Sequence, residues 1–118
     1  MKILVIEDND DILEIITMVL ESQGHDVRGG QNGKMINEAE TFKPNLILMD
    51  NHLPDGSGAD FCLKIKENDK TRNIPVVLIS ANIDLATLSS SSRADGFLPK
   101  PFDLDELVKL VNKFDIAN

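Results

Sequence analysis

The sequence predicts an α/β domain: a doubly wound, five-stranded parallel sheet with helices on both faces. Two observations carry that expectation. Short, continuous, β-branched apolar runs recur along the chain, which suits strands covered on both faces rather than strands with one wet face. Stretches with apolar residues at helical spacing separate these runs, so that right-handed crossovers place helices on either side of the sheet.

Taken in order, residues 2–7 are the first strand, with Ile3-Leu4-Val5-Ile6 as its apolar run. Ile12, Leu13, Ile16, Val19 and Leu20 then share one helix face, and Gly24 stands where a C-terminal cap belongs. Residues 26–29 are a weaker strand. Met35, Ile36, Ala39 and Phe42 form a second helical stripe that ends before Pro44. The third strand, 45–49, contains Leu46-Ile47-Leu48-Met49. After the Gly56-Ser57-Gly58 turn, residues 57–68 hold Phe61, Cys62 and Ile65 on a helical stripe. Residues 75–80, with Val76-Val77-Leu78-Ile79, are the fourth strand. A helix with a thin stripe, Ile83, Leu85 and Leu88, must follow; with the run Ser89 to Ser92 it reads either as a short or frayed surface helix or as a mobile output surface. A weak strand at 95–98 precedes the last helix, where Leu104, Leu107, Val108, Val111 and Phe114 line one face. Asp103 with Glu106 three residues later gives that helix a capping-box start.

Length and composition narrow the function. The 118 residues, 1–118, are expected to form one domain, and 42% hydrophobic with 27% charged residues is an ordinary globular composition. Twelve basic residues against 20 acidic ones leave a net charge of -8, and the basic residues are scattered, which argues against direct nucleic-acid binding. One cysteine allows no internal disulfide, and the N-terminal aliphatic run is too short for a signal peptide or a membrane span. A cytoplasmic protein is expected. His25 is expected to be an exposed turn residue, and Cys62 a packing residue rather than a nucleophile.

The strands end on chemistry. Their apolar runs stop on Glu7-Asp8, on Asp50, on Ser80 and on Lys100. In an open parallel sheet these carboxyl ends lie side by side, where such sheets place their ligands. Two carboxylates about 5 Å apart repel by roughly 3 kcal/mol at an effective dielectric of about 20. Lys100 alone does not balance Glu7, Asp8 and Asp50, so a divalent cation is expected. All the ligands are hard oxygens, which leaves Mg²⁺ or Ca²⁺, and few carboxylates with room for water and a phosphoryl oxygen favour Mg²⁺. A carboxylate beside Mg²⁺, a lysine and a hydroxyl can accept a phosphoryl group, since that transfer needs charge neutralisation and positioning above all. Asp50 is then the nucleophile, and Ser80 donates to a phosphoryl oxygen.

Glu7-Asp8, Met49-Asp50-Asn51-His52-Leu53-Pro54 with Gly58, Ile79-Ser80-Ala81 and Leu98-Pro99-Lys100-Pro101-Phe102 together resemble the receiver domain of bacterial response regulators. The resemblance covers nearly the whole chain, with the motifs in the family's order. It implies a flavodoxin-like sheet of order 2-1-3-4-5. It also implies that Asp50 takes phosphate from a phosphohistidine on a sensor histidine kinase or phosphotransfer protein. Asp8, Asp50 and the main-chain carbonyl of His52 would bind Mg²⁺, with Glu7 acting through water. Lys100 would pair with the phosphoryl group, and a cis peptide would precede Pro101. Ser80 and Phe97 would form the switch pair that changes partner affinity on the face of the fourth helix, fifth strand and fifth helix. The downstream partner is unknown; a monomer or a phosphorylation-dependent dimer is expected, with no membrane contact. Glu7 stands where aspartate is commoner, Arg93 where glycine is common, and residues 82–93 are shorter than usual.

Three other readings compete. A flavin mononucleotide module would need a phosphate cradle after the first strand, where Glu7-Asp8-Asn9-Asp10-Asp11 repels phosphate. An aspartyl-phosphate phosphatase would want a second acid at the position of His52. The alternative closest to the main reading is a degenerate receiver acting as a phosphorylation-independent interaction module.

Overall fold

The computed structural model describes residues 1–81 and 92–115. Five strands form the main sheet: β1 (Lys2–Ile6), β2 (Asp26–Gly30), β3 (Leu46–Asp50), β6 (Val76–Ser80) and β7 (Gly96–Pro99). All neighbouring pairs are parallel, in the order β2-β1-β3-β6-β7, which is 2-1-3-4-5 when these five strands are counted along the chain. Between β3 and the next helix lies a small antiparallel hairpin, β4 (His52–Leu53) with β5 (Gly56–Ser57), which the sequence pattern does not announce.

Every residue of β3 and β6 is buried, as continuous apolar runs require when helices cover both faces. On one face α1 (Asp10–Ser22) and the C-terminal helix (Leu104–Phe114) pack Ile16, Leu20, Leu107 and Val111 against Ile3, Val5, Leu48 and Val77. On the other, α2 (Ala39–Phe42) and α3 (Gly58–Glu67) set Ala39, Phe61, Cys62 and Ile65 against Leu4, Ile47, Met49 and Leu78. Asn9, Ser57 and Asp103 cap α1, α3 and the C-terminal helix by accepting the N–H of Ile12, Asp60 and Glu106. The second helical stripe is a 3₁₀ turn, Gly33–Glu38, followed by only four α-helical residues. Asn32 caps the Lys34 N–H, and Gly33 and Asn37 are weak α-formers, so the segment stays in its tighter form. The expected fourth helix lies outside the described residues.

His25 departs from expectation. It is 8% exposed, its Nδ1 lies 3.1 Å from the N-terminal ammonium of Met1, and burial lowers its pKa. Cys62 is buried, and burial pushes its thiol up to about 11, consistent with packing. Lys66 is also buried; its ammonium donates to the Ile74 carbonyl at 2.9 Å and to Asp95 at 2.7 Å, closing the sheet end opposite the strand-end cluster.

Among the described residues, two non-glycine residues occupy the left-handed region: Lys43 (φ 53), which ends α2, and Arg93 (φ 61). A Cβ is disfavoured there by about 1 kcal/mol or more, partly offset by the entropy glycine loses on folding. Lys43→Gly and Arg93→Gly are therefore each expected to stabilise the domain by about 0.5 kcal/mol, read from urea unfolding followed by circular dichroism.

Candidate functional site

Register assembles the site. Ile6 pairs with Met49, Asp50 with Ile79, and Ser80 with Pro99, so the residues at and just beyond these strand ends share one edge of the sheet. The Asn51 N–H donates to the Ile79 carbonyl at 2.8 Å and the Lys100 N–H to the Ser80 carbonyl at 2.9 Å, which extends the alignment past the strands.

Glu7, Asp8 and Asp50 each offer a carboxylate oxygen, and these lie within 4.8 Å of one another. Lys100 reaches over from the far edge strand: its Nζ is 3.0 Å from Glu7 Oε1 and 3.5 Å from Asp50 Oδ2. Glu7 is fully buried, and its second oxygen accepts the Asn9 N–H at 3.1 Å. Its extra methylene relative to aspartate lets one carboxylate serve a lysine and a backbone amide together. Burial raises the Glu7 pKa above 4.5, with Asp8 and Asp50 adding to the rise against the Asn9 amide and Lys100. Burial works against the Lys100 ammonium, but Glu7 and Asp50 outweigh it and hold Lys100 above the usual lysine range. Asp8 is exposed, so the open side of the cluster faces solvent there.

The remaining residues singled out in the sequence sit around this cluster. Ser80 is buried at the end of β6. His52 is exposed on the hairpin, with its N–H 3.4 Å from Asp50 Oδ1. Phe97 is half-buried on β7 and packs on the core beneath α3. The Lys100–Pro101 peptide is cis. Beside Lys100, Ile12, Ile16, Ala81, Phe102 and Leu104 line an apolar groove of about 550 Å³, with Ile15 47% exposed on its rim.

Asn51 stands in the motif after Asp50 and has a structural role that the motif alone does not assign. Its side-chain oxygen accepts the Ala59 N–H at 3.0 Å and its carbonyl accepts the Gly58 N–H at 2.8 Å, fastening the start of α3 to the residue after Asp50. The available signal was a polar residue that had to be buried because it directly follows a fully buried strand.

A doubly wound parallel sheet whose carboxyl edge gathers three carboxylates, a lysine and a buried serine defines a receiver-type α/β domain. The chain belongs to the response regulator receiver domain family, which it matches over residues 3–112, and is thus a receiver domain of two-component signalling. It is 36% identical over 110 residues to the phosphate regulon transcriptional regulatory protein PhoB of Escherichia coli, covering 91% of this chain and 48% of that protein. It is 33% identical over 113 residues to the DNA-binding dual master transcriptional regulator RpaA of Synechocystis, covering 93% and 47%. The chain thus spans about half the length of these relatives. Among solved structures, the receiver domain of sensor histidine kinase PA1611 from Pseudomonas aeruginosa, with a magnesium ion coordinated in its active site cleft, superposes with a TM-score of 0.86 at 27% identity, covering 96% of this chain and 95% of that one. No helix among the described residues is long and apolar enough to cross a membrane.

Proposed function

We propose that this receiver is a Mg²⁺-dependent phosphoryl acceptor in which Asp50 is the nucleophile. The observation that carries the reading is the cluster itself: among the described residues, three carboxylates lie within 4.8 Å of one another and one ammonium, that of Lys100, pairs with two of them, Glu7 and Asp50, a charge balance that calls for a further cation. The donor set is oxygen only, and it fits Mg²⁺ held by Asp8, Asp50 and the His52 carbonyl, with Glu7 acting through water. When bound, the ion neutralises charge on the phosphoryl oxygens.

The protein's own groups do the rest. An Asp50 carboxylate oxygen attacks phosphorus while the bond from phosphorus to the donor's histidine nitrogen breaks, and the freed imidazole takes up a proton. Lys100, 3.5 Å from Asp50, moves its charge to the phosphoryl oxygens. Ser80, buried at the neighbouring strand end, donates its hydroxyl to the same group, and Phe97 follows as the second half of the switch. The acceptor is modified once per signal and does not turn over substrate. Its donor is a sensor histidine kinase or histidine phosphotransfer protein in the cytoplasm, and the apolar groove beside Lys100 is the surface such a partner meets on reaching Asp50. The groups that the resemblance assigns to a phosphorylated receiver, Glu7, Asp8, Asp50, Ser80 and Lys100, all stand in the sequence, which supports phosphorylation over the phosphorylation-independent alternative, whose support is the short 82–93 segment.

Incubation with a small acyl phosphate should add one phosphoryl mass to the intact protein, and a chelator should abolish the addition. Unaltered mass in the presence of Mg²⁺ would refute the proposal. The Glu7 pKa gives a second expected result. A carboxyl whose folded pKa is raised favours the folded state most below 4.5, and that contribution is lost as pH rises through the folded value. Mg²⁺ needs the ionised form, so the rise in Tm on adding Mg²⁺ should grow as pH rises above 4.5. Differential scanning calorimetry at fixed Mg²⁺ checks this.

A further inference from the structure

We propose that Asp55, outside the charged cluster, is a positioning residue for the site: by accepting the Gly33 N–H it holds the hairpin that presents His52 to Asp50. The inference rests on the phosphoryl-acceptor reading above. The hairpin has only two residue pairs, His52 with Ser57 and Leu53 with Gly56, too few to maintain its own geometry in water. It needs anchors outside itself. Asn51 supplies one at the base, through Gly58 and Ala59. At the tip, Asp55 Oδ1 accepts the Gly33 N–H at 2.8 Å, a tether across 22 residues to the segment that follows β2.

The far end of the tether is closely packed. Gly33 is buried, and a Cβ there would stand 2.1 Å from the Phe61 ring, so this backbone lies directly on the aromatic side chain. Phe61 is itself 8% exposed and belongs to the core that includes Leu53 of the hairpin and Met49 beside Asp50. Asp55 therefore joins the hairpin tip to a fixed point of the core, and with Asn51 it clamps the segment carrying the His52 carbonyl and amide. Groups that orient a metal ligand from outside contribute about 10- to 100-fold in affinity. Asp55 acts at one remove, through backbone, and a smaller share is expected.

Two substitutions separate positioning from charge. Asp55→Asn keeps an oxygen acceptor and removes the charge, whereas Asp55→Ala removes both. With Mg²⁺ alone as the probe, followed by amide NMR titration, Asp55→Ala should raise the Mg²⁺ Kd about five-fold, with Asp55→Asn within about two-fold of wild type. Amide hydrogen exchange without Mg²⁺ should quicken at Gly33 and His52 in Asp55→Ala and stay unchanged at Leu48 and Val77. Equal weakening by both variants would assign the effect to charge and overturn the proposal, as would an Asp55→Ala protein with wild-type Mg²⁺ affinity and His52 exchange. If the wild type binds no Mg²⁺, the phosphoryl-acceptor reading fails, and exchange at His52 still decides whether the tether holds the hairpin.

Discussion

Gly58→Ala is expected to destabilise the domain by about 2 kcal/mol and to weaken Mg²⁺ binding as well. Two effects oppose one another at this position. Alanine is the better helix former by about 1 kcal/mol, and Gly58 opens α3. A Cβ there, however, would lie 2.5 Å from the Asp50 carbonyl oxygen and 2.9 Å from the Asn51 Cα. Both are backbone atoms, held by the Asn51 bond to Ile79 on one side and by the Gly58 bond to Asn51 on the other, so neither yields as a flexible side chain would. Overlap wins, and relief comes only by pushing Asp50 and the hairpin out of place. Urea unfolding and Mg²⁺ titration of the variant should therefore report losses together. Increased stability would mean that α3 does not press on the strand end as described.

Lys100→Met should separate metal binding from signalling. The ammonium competes with a cation for Glu7 and Asp50, so its removal leaves Mg²⁺ affinity at or above the wild-type value. Stability moves the other way. Glu7 is fully buried and loses its ion-pair partner, at a cost of roughly 2 kcal/mol near neutral pH. That is less than for a fully buried pair, because Lys100 is partly exposed and Glu7 can take up a proton. The loss should shrink as pH falls, since Glu7 already holds its proton above the ordinary carboxyl range. Once phosphorylated, the variant should gain no affinity for its output partner, because the group linking phosphate to the end of β7 is missing. Calorimetry across pH and partner titration with and without phosphodonor test these expectations. A wild-type gain in partner affinity would remove Lys100 from the switch.

The central strands were legible because burial on both faces demands continuous apolar runs, and β1, β3 and β6 fall within a residue of the ranges expected from such runs. β2 was weakly marked for a physical reason: it is an edge strand of the sheet, with Asp26, Arg28 and Gly29 exposed. The site residues were legible as types at strand ends, and the fold brings Glu7, Asp8, Asp50 and Lys100 together. Their pairing was not legible. That Lys100 sits closer to Glu7 than to Asp50 depends on a contact across 93 residues and on the reach of one methylene, which no local pattern encodes. The 52–57 hairpin and the Asp55 tether were missed for a similar reason, since two-residue strands carry no periodicity. His25 was misjudged because a Gly-His-Asp turn reads as exposed, whereas the N-terminal residue folds over it.

The most direct test of the phosphoryl-acceptor account is intact-mass measurement of the wild type and of Asp50→Asn after incubation with a small acyl phosphate and Mg²⁺. The wild type should gain one phosphoryl mass and the variant none. Equal labelling of both proteins, or no labelling of the wild type, would contradict it.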